Sequence, residues 1–144
     1  MIIKRTFAML AILAGYAGTI SPAAATPTWP SSIVGTWNGV SNLTQIILTV
    51  SQQTSGGRCQ LISGTIEDVP TGVVGNMQGY YCPYSGNVEF LRYPTNSTVA
   101  FQVYSANLAQ NPPPKNLGLL MAGTFGQYSQ SYGPLGQYSF SLVK

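Results

Sequence analysis

An all-β fold, an eight-stranded antiparallel up-and-down barrel, is predicted by three observations. From residue 33 onward no helical apolar period develops; short apolar runs are set apart by clusters of Gly, Pro, Asn and Ser. Each run is joined to the next by a short polar connection that needs no helical crossover, so neighbours pair antiparallel. One hairpin carries two separate signals, a turn and a cysteine pair, that agree on a single register.

In chain order, Val34–Val40 is the first predicted strand, inside the stretch "IVGTWNGV". Thr44–Ser51 is the cleanest, with Ile46, Leu48 and Val50 alternating onto one face. Cys59–Asp68 and Val73–Cys82 follow, then Asn87–Tyr93, Val99–Asn107, Gly118–Gln127 and Gln137–Val143. Between the third and fourth, "VPTG" (Val69–Gly72) puts Pro second and Gly fourth, as a type I turn prefers. With Pro70 and Thr71 as the loop, paired residues have numbers totalling 141, and so do Cys59 and Cys82. A bulge at Gly72 would shift the register by one and still bring the thiols across the hairpin. With no histidine and no third thiolate to complete a metal site, one structural disulfide is expected.

Residues 1–25 read as a secretory signal peptide. Lys4 and Arg5 supply a positive start, Phe7–Ile20 is mostly apolar, and Ala23–Ala25 offers a small-residue cleavage site. The apolar stretch is short for a membrane span and holds Gly15 and Gly18, so export to a periplasmic or extracellular space is expected, with no span in the mature form. Residues 26–32 form an N-terminal arm and residues 33–144 one barrel domain. Removing the leader from 144 residues leaves 119, enough for one core, and lowers the net charge from +3 to +1.

The remaining charges are Arg58, Glu67, Asp68, Glu89, Arg92, Lys115 and Lys144. They are too few for a nucleic-acid footprint, and so weakly charged a surface permits homo-oligomers. The absence of histidine removes the usual triads and the commonest metal ligand. Glu67 and Asp68 are adjacent on a strand and point to opposite faces, while Glu89 is expected near Arg92. General acid–base chemistry lacks its groups here, so neither an enzyme nor a cofactor is expected.

Two loops stand out. "NPPPKN" (Asn111–Asn116) is stiffened by three prolines. "GQYSQSYGPLGQYS" (Gly126–Ser139) is rich in Tyr and Ser, which suits either a binding loop or a hairpin with aromatic cross-strand pairs.

"GTW" at Gly35–Trp37 is echoed by "GTI" at Gly64–Ile66 and "GTF" at Gly123–Phe125. Glycine within a strand marks a bend or a close backbone approach, as a small coiled barrel requires. With export and eight consecutive strands, these motifs resemble the avidin and lipocalin (calycin) barrels, avidins more closely. The resemblance implies a barrel open at one end around a small ligand, often assembled into dimers or tetramers. It does not extend to the biotin site. Asn38 follows Trp37 directly, Ser41 is displaced, Ile66 stands where avidins carry a tyrosine, and Trp29 is the only other tryptophan. Lipocalins stack a late basic residue on the first-strand tryptophan, a role open only to Lys144. "GYYCP" (Gly79–Pro83) and "FQVYSANL" (Phe101–Leu108) are similar to small exported bacterial proteins of no assigned role.

The expected function is non-catalytic binding of a small, partly apolar ligand inside the barrel. Its aromatic contacts would be Trp37, Tyr80, Phe101 and Tyr104, with Asn38 and Gln102 as polar fixers. The alternative is a protein-binding or inhibitory module acting through Trp29 in the arm and through Tyr128 and Tyr132. Each of these residues also has an ordinary packing role open to it.

Overall fold

The computed structural model describes residues 29–109 and 118–144. The signal peptide read at 1–25 and the "NPPPKN" stretch lie outside the described residues. Eight strands follow one another: β1 (Gly35–Ser41), β2 (Thr44–Gln53), β3 (Gln60–Asp68), β4 (Val73–Cys82), β5 (Asn87–Pro94), β6 (Gln102–Ala109), β7 (Leu120–Ser129) and β8 (Gly133–Val143). Each pairs antiparallel with the next, and β8 returns to β1, closing the barrel. Among the described residues there is no helix.

The β3–β4 register is the predicted one throughout, from Gln60 opposite Tyr81 to Asp68 opposite Val73. Cys59 and Cys82 are disulfide-bonded with Cα atoms 4.0 Å apart. The loop is four residues long rather than two. The Asp68 carbonyl accepts from the N–H groups of both Thr71 and Gly72, and Gly72 takes φ +66°, a left-handed conformation that suits glycine.

β4 keeps its predicted bounds and the other strand ends move by at most two residues, apart from two starts that move further. β6 starts at Gln102 instead of Val99, because Phe101 instead bridges the flanking strands: its N–H donates to Arg92 O and its carbonyl accepts from Tyr128 N–H. β8 starts at Gly133, four residues before the predicted Gln137. The Tyr/Ser-rich segment is therefore an extended hairpin, with Phe125 against Tyr138 and a register shift between Gln127 and Tyr128.

The alternation predicted for β2 holds: Ile46, Leu48 and Val50 are all about 1 % exposed. Inward residues from every strand fill the barrel. A side chain beside a water-sized hollow would keep accessible surface, yet Trp37, Ile66, Tyr81, Val88 and Met121 keep none. Phe90, Tyr104 and Phe125 stack in sequence with ring centroids 4.5 and 4.9 Å apart, and Phe140 meets Tyr104 edge-on at 5.1 Å.

Inward-facing glycines explain how so narrow a barrel closes. A Cβ on Gly64 would lie 1.8 Å from Thr49 O, and one on Gly79 would lie 2.0 Å from Glu89 O. Gly39 and Gly123 meet neighbouring carbonyls at 2.0 Å in the same way. Two of the three echoed glycines thus mark close approaches. Gly35 does not: its Cβ would meet the Lys144 side chain, and β1's close approach falls four residues later at Gly39.

The described part of the N-terminal arm, from Trp29 onward, covers one end of the barrel; residues 26–28 lie outside the described residues. Ile33 is fully buried and its carbonyl accepts from Trp37 Nε1 at 2.9 Å. Trp29 Nε1 donates to Leu108 O at 3.0 Å, and the Tyr81 hydroxyl donates to Pro30 O at 2.6 Å. Gln53 clamps the same segment, donating to Ser31 O and accepting from Ile33 N–H, both at 2.9 Å. Lys144 Nζ sits 5.8 Å from the Trp37 ring centroid and donates to Val34 O.

Candidate functional site

The six residues expected around an internal ligand do not converge. Trp37 is buried beneath the arm, whereas Gln102 (8 % exposed) and Tyr104 (1 %) lie inside toward the opposite end. Asn38 and Tyr80 occupy outward positions on β1 and β4 and face solvent. Phe101 precedes β6 with its ring 5.4 Å from the Arg92 guanidinium carbon.

That opposite end is closed by a polar plug that sequence reading missed. Arg92, 2 % exposed, makes a bidentate pair with Asp68 at 2.9 and 3.0 Å. The same guanidinium donates to Gln102 Oε1 at 3.2 Å, and the Tyr104 hydroxyl donates to that oxygen at 2.9 Å. Its remaining contacts are long ones to the carbonyls of Ile66 and Val73, both 3.4 Å, and Nε has no partner. Gly75 makes the room, since a Cβ there would lie 2.8 Å from Nε. Burial holds the Tyr104 hydroxyl above the usual tyrosine range, with Ser41 and Arg92 acting in the opposite direction.

Glu89 is not beside Arg92. Three positions apart on a strand, the two face opposite ways, and Glu89 instead accepts from the Tyr80 hydroxyl on the outer surface. That hydrogen bond is the main reason the Tyr80 pKa is raised. The period-2 rule was enough to foresee this separation. Among the described residues no group of three His, Cys, Asp or Glu side chains is placed to hold a metal.

The concavities lie outside the barrel. A groove of about 870 Å³ crosses the outer face of β2–β5 and is lined by Tyr80, Tyr93, Gln52, Gln78, Leu61 and Leu91 among thirteen residues. Its lining includes Gly79, whose backbone lies close against Glu89 and Phe90 of β5. Gln52, Ser63, Gln78 and Leu91 stand opposite one another in succession across four strands. No sequence pattern marked this ladder, because the residues share a face only through the pairing register.

A second groove of about 580 Å³ lies between the β5–β6 loop and the β7–β8 hairpin, with Phe101, Tyr128 and Ser129 in its walls. Tyr132 is 83 % exposed near the hairpin tip. Trp29 is half-buried, packed against the core beside Gly86, rather than displayed as a free anchor.

No protein-family model, curated protein or solved structure matches this chain. The likeness that holds is architectural: a closed eight-stranded antiparallel barrel, compatible with the calycin layout.

Proposed function

We propose that the protein is an exported, non-catalytic binding module that takes its ligand on the outer face of β2–β5. The observation that carries this reading is a contrast. The barrel interior is packed so that its buried apolar side chains keep 5 % of their surface or less, whereas a groove of about 870 Å³ with two tyrosines lies on the outside. The Lys144–Trp37 contact supports a remote likeness to lipocalins in architecture. The inward glycines explain why a lipocalin-style lumen is missing, since neighbouring strand backbones occupy the space.

A native mass spectrum of the exported chain tests this reading. The expected peak is the bare mass or a whole multiple of it, because a shallow groove releases its ligand. A co-purifying small molecule that persists in Tyr93→Ala and leaves only on denaturation would place the ligand inside and overturn the proposal.

A second reading is favoured by Tyr132 alone, whose near-complete exposure suits a protein partner at the β7–β8 hairpin. Capture of one defined partner that is lost in Tyr132→Ala and kept in Tyr93→Ala would select it.

A further inference from the structure

We infer that the ligand of the β2–β5 groove is a neutral oligosaccharide chain; the inference rests on the outer-face reading and names its ligand class. All thirteen lining residues are uncharged. An anionic ligand would lose hydration there without meeting a counter-charge. Nucleic acid is disfavoured for that reason, since its phosphates need Lys or Arg along the track. An extended peptide is disfavoured too. Every strand of this face is paired on both sides, so no edge is free for backbone hydrogen bonding.

The groups that remain suit a hydroxyl-rich chain with apolar ring faces. Gln78 opposes Leu91, with Tyr80 two residues along β4 and Tyr93 two residues along β5 on the opposite diagonal. The Gln78 amide and the Tyr93 hydroxyl make no hydrogen bond within the described residues, so both can engage a ligand. An amide offers a donor and an acceptor side by side, which matches two adjacent sugar hydroxyls. Tyrosine rings add rigid apolar area at low entropic cost. Tyr80 already donates to Glu89, which holds its ring in place and leaves the ring face as its contribution. Four strands span about 14 Å, room for several linked rings rather than one.

The test is a two-dimensional amide NMR titration of the disulfide-intact chain with cellohexaose, maltohexaose, hexa-N-acetylchitohexaose and, as the charged control, hexagalacturonate. At least one neutral hexasaccharide is expected to shift the amides of Gln78, Tyr80, Leu91 and Tyr93, and hexagalacturonate is not. Gln78→Ala and Tyr93→Ala should each weaken that binding roughly tenfold, the equivalent of about 1.4 kcal/mol, with an otherwise unchanged spectrum showing that the variant folds. If none of the neutral sugars shifts these amides, the oligosaccharide assignment is wrong. If hexagalacturonate alone shifts them, the groove stands as a site and only the ligand class falls. Shifts confined to Tyr128 and Tyr132, or to the buried Met77 and Met121, would sink the outer-face reading itself.

Discussion

Arg92 is the residue whose chemistry most constrains this barrel. A guanidinium buried to 2 % exposure is tolerable only because Asp68, Gln102 and two carbonyls face it. Removing Asp68 leaves that charge without its counter-ion, so Asp68→Ala should lower unfolding free energy by about 2 kcal/mol, less than the 3–5 of a fully buried pair, because the Asp68 side chain is 27 % exposed. Arg92→Met combined with Asp68→Ala should recover much of the loss, since packed apolar groups can replace a buried ion pair at little cost. Urea unfolding of the two single variants and the double variant measures both terms; additive losses would mean that the pair is not coupled. Glycines act by the opposite route, through atoms they lack. Gly64→Ala drives a methyl into the Thr49 carbonyl and should cost about 3 kcal/mol as overpacking. The same change at Gly72, which has open space around it, meets only the left-handed backbone penalty of about 1 kcal/mol. Equal losses at the two positions would refute the close-approach account.

At the scale of elements, the β3–β4 hairpin shows what was legible and why. Its register followed from Val69–Gly72 and the two cysteines because both signals are local in sequence and a hairpin admits few alternatives. The disulfide closes a loop with a sequence separation of 23, so Cys59→Ser with Cys82→Ser should lose about 3 kcal/mol on the chain-entropy model. Denaturant midpoints of oxidised wild type and the double-serine variant provide the comparison. The sites were less legible than the strands. Asn38 and Trp37 are adjacent residues and therefore face opposite sides, a fact available from the period alone. The Arg92–Asp68 pair and the Gln52-to-Leu91 ladder, by contrast, depend on which strands meet at which rung, information spread over four separate pairings. Trp29's place over the barrel end was open for a similar reason: the carbonyl it bonds, Leu108 O, lies 79 residues away.

At the scale of the whole molecule, the arm, the core and the barrel wall meet at Tyr81, which makes alkaline unfolding informative. The Tyr81 hydroxyl donates to Pro30 O, and burial pushes its pKa from 10.0 to about 12. Below pH 10 the folded and unfolded states both keep the proton, and the full stability is present. Between pH 10 and about 12 the unfolded chain ionises while the folded one does not, so stability falls as pH rises. Tyr104, raised chiefly by its burial, acts in the same direction. Tyr81→Phe removes the titration together with one hydrogen bond. It should be less stable than wild type at pH 8 by about 1 kcal/mol. Its melting temperature should then decline less steeply, so that the two curves meet at about pH 11 and cross, because a pKa raised to about 12 costs wild type more by pH 12 than the lost hydrogen bond is worth. Curves that stay parallel across that window would mean that the hydroxyl ionises as freely folded as unfolded, and that the arm does not seal this end of the barrel from water.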